Sequence, residues 1–288
     1  MRAIALALVL VASPMARASD ITLFGAEAGQ DFHSPQRWAT EIKFGPYSPD
    51  IDSTPGLNGK TPFSDLFNNQ LYDSNGKYNP GANKGQRPAG KALTTVEVDW
   101  QFLQGFGSLG VAASLGISRR STHSFNYVGM TPGAACTVPD CTRSGDTTTL
   151  TVMPLTLELV YRFDVLARRF NVPIVPYVKG GFGYFFWWVE NGSGGLSNTD
   201  MIASIPNSSA SDRGIGGTLG LVAHPGIALL LDTFDPQSAQ TMDNELGINH
   251  SYLFFELNYD WITGMGIQSA GKMVLSDLTW NAGVAFEF

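Results

Sequence analysis

The sequence predicts an all-β fold, an eight-stranded antiparallel transmembrane β-barrel with short periplasmic helices. Three observations predict it. The chain opens on a secretory signal, its body holds eight segments of period-two alternation, and its last strand ends on Phe288 at the C-terminus. The expected location is the cell outer membrane.

The signal is read from residues 1–18. Arg2 is a short positive region, Ala3 to Ala12 is an apolar run without charge, and Ala16-Arg17-Ala18 has the small-x-small pattern of a cleavage site. The run is too short to cross a bilayer as a helix. Residues 19–288 then form one barrel domain. No apolar run after the signal reaches about 18 residues, which excludes helical spans. The formal net charge of −7 argues against nucleic acid as a partner, since neutralising phosphates takes a basic surface. In an oxidising compartment the two cysteines, Cys136 and Cys141, are expected to close a local disulfide around Pro139-Asp140. No metal or cofactor is expected.

Strands of a membrane barrel turn apolar residues to lipid and polar ones inward, and roughly ten residues are needed to cross. Ile42 and Phe44 alternate with Glu41 and Lys43, and Val96 to Phe102 with Glu97, Asp99 and Gln101. Leu109 to Ile117 alternate with Gly110, Ala112, Ser114 and Gly116. Leu155 to Phe163 alternate with Thr156, Glu158 and Arg162, and Val178 to Trp188 with Lys179, Gly181 and Gly183. Leu219 to Ala223 alternate with Thr218 and Gly220. Leu253 to Trp261 alternate with Glu256, Asn258 and Asp260, and Leu278 to Phe288 with Asp277, Asn281 and Glu287. Eight is an even number, as single-chain bacterial barrels require. A soluble β-sandwich also alternates, but does not normally carry large aromatics on one face of nearly every strand.

With the N-terminus in the periplasm, segments 46–91, 119–147, 191–213 and 262–275 are outer loops, rich in Gly, Pro, Asn, Ser and Asp. The inner connections are a tight turn at 105–107 and two longer connectors, 164–173 and 232–249. On this topology Tyr47, Trp187, Trp188, Tyr259 and Trp261 fall in an outer aromatic girdle. Trp38, Trp100, Phe102, Tyr161, Phe163, Phe286 and Phe288 fall in an inner one. In the second connector Asp235-Pro236 reads as N-cap and first helical residue, with Gly247 as the stop. Ala239, Met242 and Leu246 share one face of that helix, which either covers the barrel mouth or docks a periplasmic protein. Asp164 to Asn171, with Arg168 and Arg169, reads as a shorter helical turn.

The terminal Phe288, preceded by Phe286 in an alternating strand, resembles the assembly signal that the barrel assembly machinery recognises. A longer resemblance is to small outer-membrane β-barrel proteins of myxobacteria and their relatives, of the OmpA/OmpW-like class. It rests on Glu41-Ile-Lys-Phe-Gly-Pro-Tyr-Ser-Pro-Asp-Ile-Asp52, Thr61-Pro-Phe-Ser-Asp-Leu-Phe67, Pro173-Ile-Val-Pro-Tyr-Val-Lys-Gly-Gly181 and Gly247-Ile-Asn-His-Ser-Tyr-Leu-Phe-Phe-Glu256. The resemblance implies fold and location, and no activity.

An eight-stranded barrel is narrow enough for side chains to fill it. The inward set Glu41, Lys43, Glu97, Asp99, Glu158, Arg162, Lys179 and Glu256 is expected to pair as a polar plug, because unpaired buried charge is costly. Acids outnumber bases in that set, so a thin cation-preferring path is the competing reading. The inward glycines Gly110, Gly116, Gly181, Gly183 and Gly220 make room either for water or for side chains opposite. A hydrolase reading has only His123 outside, with Ser121, Ser124 and Asp140 in the same loop, and loop proximity does not make a triad. His224 and His250 read as capping or interface residues. Asp73 to Asn79 recurs in part as a calcium loop, but lacks a fifth-position ligand and the closing Glu, so it reads as a turn. The expected function is non-enzymatic, structural or anchoring an envelope assembly. The alternatives are a narrow porin-like channel and, second, a lipid or peptide hydrolase. The expected partners are outer-membrane lipid, the assembly machinery and a periplasmic protein.

Overall fold

The computed structural model describes residues 37–59, 61–68, 86–126, 142–170, 172–197, 214–265 and 272–288. The signal at 1–18, the Cys136–Cys141 pair, Asp140 and the turn at 73–79 lie outside the described residues.

Eight strands run in chain order around one closed ring: β1 (Trp38–Tyr47), β2 (Lys91–Gly105), β3 (Gly107–Asn126), β4 (Thr142–Arg162), β5 (Ile174–Glu190), β6 (Ile215–Leu230), β7 (His250–Trp261) and β8 (Asp277–Glu287). Every neighbouring pair is antiparallel. Each of the eight alternating segments is one of these strands. Closure runs from Ala39 opposite Glu287 to Phe44 opposite Ala282, and Trp38 and Phe288 exchange both backbone bonds at 2.9 Å. Ring closure leaves the sheet without open edges, which hydrocarbon would penalise.

Parity along the strands sorts the faces. Ile42, Val98, Trp100, Leu157, Phe182, Phe255, Tyr259 and Trp280 are exposed outside, while Glu41, Lys43, Glu97, Asp99, Glu158, Lys179 and Glu256 are buried inside. An apolar outside around a charged inside is the reverse of a soluble domain. It is the surface of a transmembrane barrel of the outer-membrane type. Leu157, 57% exposed, sits midway along the lipid-facing part of β4, between Met153 and Tyr161. Leu157→Arg is therefore expected to cost about 2–4 kcal/mol of folding free energy in lipid vesicles. A cost near zero by urea titration would place Leu157 outside the hydrocarbon.

The outer side departs from expectation in two ways. Residues 119–147 are not a loop throughout: β3 continues to Asn126 and β4 begins at Thr142, and Arg119 to His123 pair with Thr151 to Thr147. β3 and β4 have 20 and 21 residues against 10 in β1. Roughly ten suffice to cross, so this hairpin stands well beyond the membrane. Its outer part faces no lipid, and its Ser/Thr-rich sequence has no apolar alternation to announce a strand. Second, the start of 46–91 is structured. A 3-10 turn, Ile51–Ser53, leads to helix α1 (Pro62–Phe67). Asp52 caps α1 from a distance, accepting from Phe63 N at 2.8 Å, from Ser64 N at 2.9 Å and from the Ser64 hydroxyl.

On the inner side the turn at Gly105-Phe106-Gly107 is tight, and Gly107 (φ +110°) takes a backbone shape that favours glycine. Helix α2 (Val165–Phe170) follows β4, and helix α3 (Pro236–Leu246) follows β6. The Asp235 carboxylate accepts from Ser238 N at 3.1 Å and Ser238 Oγ at 2.7 Å, and these bonds hold it below the usual carboxylate range. Gly247 ends α3 at φ 69°.

Candidate functional site

The interior is filled in three tiers. The outer tier is apolar: Tyr47, Phe185, Trp187, Val222, Ile262 and Leu275 pack with Phe63 and Phe67 of α1. The cap is tied down by polar contacts. Arg120 lies 5.4 Å from the Phe63 ring centre and donates to Ala89 O at 2.7 Å, while Arg143 donates to Leu66 O at 2.8 Å. Arg87 bridges Asp50 (3.1 Å) and Asp277 (3.2 Å), and the Tyr47 hydroxyl donates to Leu275 O at 2.9 Å. The crevice lined by Tyr47, Pro49, Ser118, Arg120, Leu150 and Val152 holds ≈ 10 Å³, about one water.

Tyr47 and Trp187 therefore do not belong to the outer girdle. Both point inward and are 2% exposed. In β1 the inward set Glu41, Lys43 continues by twos to Tyr47, and in β5 Lys179 leads by twos to Phe185 and Trp187. Trp188, next in the chain, turns the other way.

The middle tier is a belt of charge. Lys179 Nζ lies 2.6 Å from both Glu41 Oε2 and Glu97 Oε1. Lys43 Nζ lies 2.6 Å from Glu97 Oε2 and 2.9 Å from Glu256 Oε1. Arg162 reaches Asp99 at 2.5 Å and Glu41 at 2.8 Å. Seven of the eight residues singled out from the sequence thus meet in one lattice drawn from β1, β2, β4, β5 and β7, and the eighth, Glu158, pairs with His224. Sequence reasoning turned Glu287 inward by alternation but left it out of the charged set; it accepts from Gln101 Nε2 and the Tyr252 hydroxyl, each at 2.9 Å. Sequence reasoning missed His224, which is neither a cap nor an interface residue. Its ring sits inside the barrel, with Nδ1 2.9 Å from Glu158 Oε2 and Nε2 3.0 Å from Asp260 Oδ1. Parity with Thr218 and Gly220 was the available signal, masked by the adjoining Pro225. His250 lies at the barrel rim and bonds Asp232 at 2.6 Å.

The inner tier is apolar again: Val175, Tyr177, Ala228, Tyr252, Phe254 and Ala285, with Ala167 of α2 against it. The inward glycines make room for neighbouring protein atoms. A Cβ at Gly110 would stand 2.4 Å from Asp99 Oδ1, and one at Gly183 3.0 Å from Phe185 and Val222 side-chain carbons.

Two other candidates are placed plainly. Ser121 and His123 are exposed on the outer hairpin, two residues apart, while Ser124 is buried and shares a 2.6 Å hydrogen bond with Thr148. Strand parity separates Ser124 from His123. No residue of helix α3 is buried, but Ala239 and Met242 are partly covered and the helix lies against β7. Its entry residue Phe234 and its last residue Leu246 are 67% and 68% exposed. The inner tier, with Ala167 of α2 against it, fills the barrel at this end.

No protein-family model and no curated protein matches the chain. Among solved structures it is similar to Ail, the attachment invasion locus protein of Yersinia pestis, at 10% identity and TM-score 0.37, covering 88% of this chain and 97% of that one. It is similar to Neisserial surface protein A at 10% identity and TM-score 0.39, covering 88% and 98%. It is similar to the outer membrane protein OprG from Pseudomonas aeruginosa at 13% identity and TM-score 0.43, covering 89% and 97%. At these scores the likenesses bear no weight on function, and the fold rests on the chain's own strand pairing.

Proposed function

We propose that this chain is a non-conducting barrel of the outer membrane, without chemistry of its own, that serves a structural or anchoring role through what it presents at its two ends. The observation that carries this reading is the three-tier filling of the interior. Apolar clusters flank the charge belt, and the carboxylates of Glu41, Glu97, Asp99 and Glu256 are taken up by Lys43, Arg162 and Lys179, so a passing ion would have to break buried ion pairs. Phe286 and Phe288, at the closing strand, are the residues proposed to be read by the assembly machinery. Membership in the small-barrel family of myxobacteria and their relatives is proposed with it, on the motifs given above.

The test is electrical. Purified barrel reconstituted in planar bilayers is expected to give no conductance steps above the lipid baseline. Discrete steps that change on Glu97→Gln or Glu158→Gln would replace this reading with a narrow cation-preferring channel.

A further inference from the structure

We infer that α3 is a docking element for a periplasmic protein whose contact surface is an apolar groove with a basic rim. The inference rests on the reading that the barrel acts through its ends, and it names the partner at the inner one. The inner end is identified by its tight turn and by the two terminal strand ends, Trp38 and Phe288, which meet there.

The first observation is a helix that is closed at both ends, lies against β7 along part of one face, and has no residue buried. Asp235 caps its start, and Gly247 and Ile248 donate to Asp243 O at 3.0 Å and Met242 O at 3.2 Å at its end. Eleven residues is below the length at which a lone helix is stable in water, where packing of an apolar face usually supplies the balance. Here Ala239 and Met242 are only partly covered, and Leu246 at the end of the helix and Phe234 beside it are 68% and 67% exposed. A covering surface completes the element.

The second observation chooses the cover. From 232 to 247 the chain carries Asp232, Asp235, Asp243 and Glu245 and no Lys or Arg. Helices that lie on membranes carry Lys and Arg on the polar face, and anionic headgroups repel a segment of this charge. A protein surface with Lys or Arg around an apolar groove matches both the charge and the exposed side chains.

The experiment places a photoreactive phenylalanine at the exposed Phe234 in the full-length protein in living cells. Irradiation is expected to give one adduct with a different protein, joined through a peptide of that protein that contains Lys or Arg. Leu246→Ser and Glu245→Lys are each expected to lower its yield about tenfold, the first by removing an apolar contact and the second by setting like charges against each other. Glu245→Asp is expected to keep it. Because no residue of α3 is buried, all three variants should keep the heat-modifiable migration of a folded barrel. An adduct with phospholipid, an adduct at twice the chain's own mass, a yield indifferent to Glu245→Lys, or no adduct each overturns the inference. Conductance in the planar bilayer would instead overturn the non-conducting reading, whatever α3 binds.

Discussion

Lys179→Met is expected to lower the unfolding free energy in lipid vesicles by about 3–5 kcal/mol, the cost of breaking a buried ion pair from one side. Lys179 is fully buried and lies 2.6 Å from two carboxylates on two other strands. Methionine fills similar space but leaves Glu41 and Glu97 sharing the remaining cations. Glu41 keeps Arg162 at 2.8 Å, and Glu97 keeps Lys43 at 2.6 Å. Both carboxylates are buried. The double variant Lys179→Met with Glu97→Gln is expected to recover much of the loss, because removing both charges also removes their desolvation cost. The exposed Arg119–Glu190 pair, at 2.7 Å, is the control, and Arg119→Met should cost about 0–1 kcal/mol. Urea titration of the four proteins measures the comparison. A single-variant loss under about 1 kcal/mol would mean that water, not Lys179, solvates the belt.

The belt was legible in the sequence because charge in a lipid-crossing strand has one place to go. Glu41, Lys43, Glu97, Asp99, Glu158, Arg162, Lys179 and Glu256 each stand beside at least one outward apolar residue, and parity turns them inward. The outer tier was not legible in the same way. Phe185-Phe186-Trp187-Trp188 is aromatic on both faces, so composition cannot say which residue faces lipid. Only counting by twos from Lys179 assigns Trp187 to the inside. Tyr47 is hidden by the same ambiguity beside Phe44. Helix α1 is short and is capped by Asp52 from eleven residues away, a contact that local sequence rules do not reach. Helix α3, by contrast, carries its own start and stop signals, and both are used. The feature that sequence could not foresee there was exposure, since an amphipathic pattern does not say whether its apolar face is covered.

The outer tier answers a question that the belt leaves open, which is what seals the barrel from outside. Trp187→Ala is expected to cost about 3–5 kcal/mol, the usual range for emptying a well-packed aromatic site. Trp187 lies among Tyr47, Phe185 and the α1 phenylalanines, and the hole would be shared by strand and cap. Trp187→Phe is expected to behave differently. The indole Nε1 is buried without a hydrogen-bond partner among the described residues, which costs about 1–3 kcal/mol in the native protein. Phenylalanine removes that cost while giving up roughly 1–2 kcal/mol of apolar burial, so the two terms nearly cancel. Urea titration of both variants separates volume from polarity. If Trp187→Phe cost as much as Trp187→Ala, shape alone would hold the tier and the lone donor would be irrelevant. Both variants should remain silent in planar bilayers, because the charge belt and the inner tier lie below the hole. Conductance in Trp187→Ala would make the outer tier the single seal, and the lattice around Lys179 the lining of a closed channel.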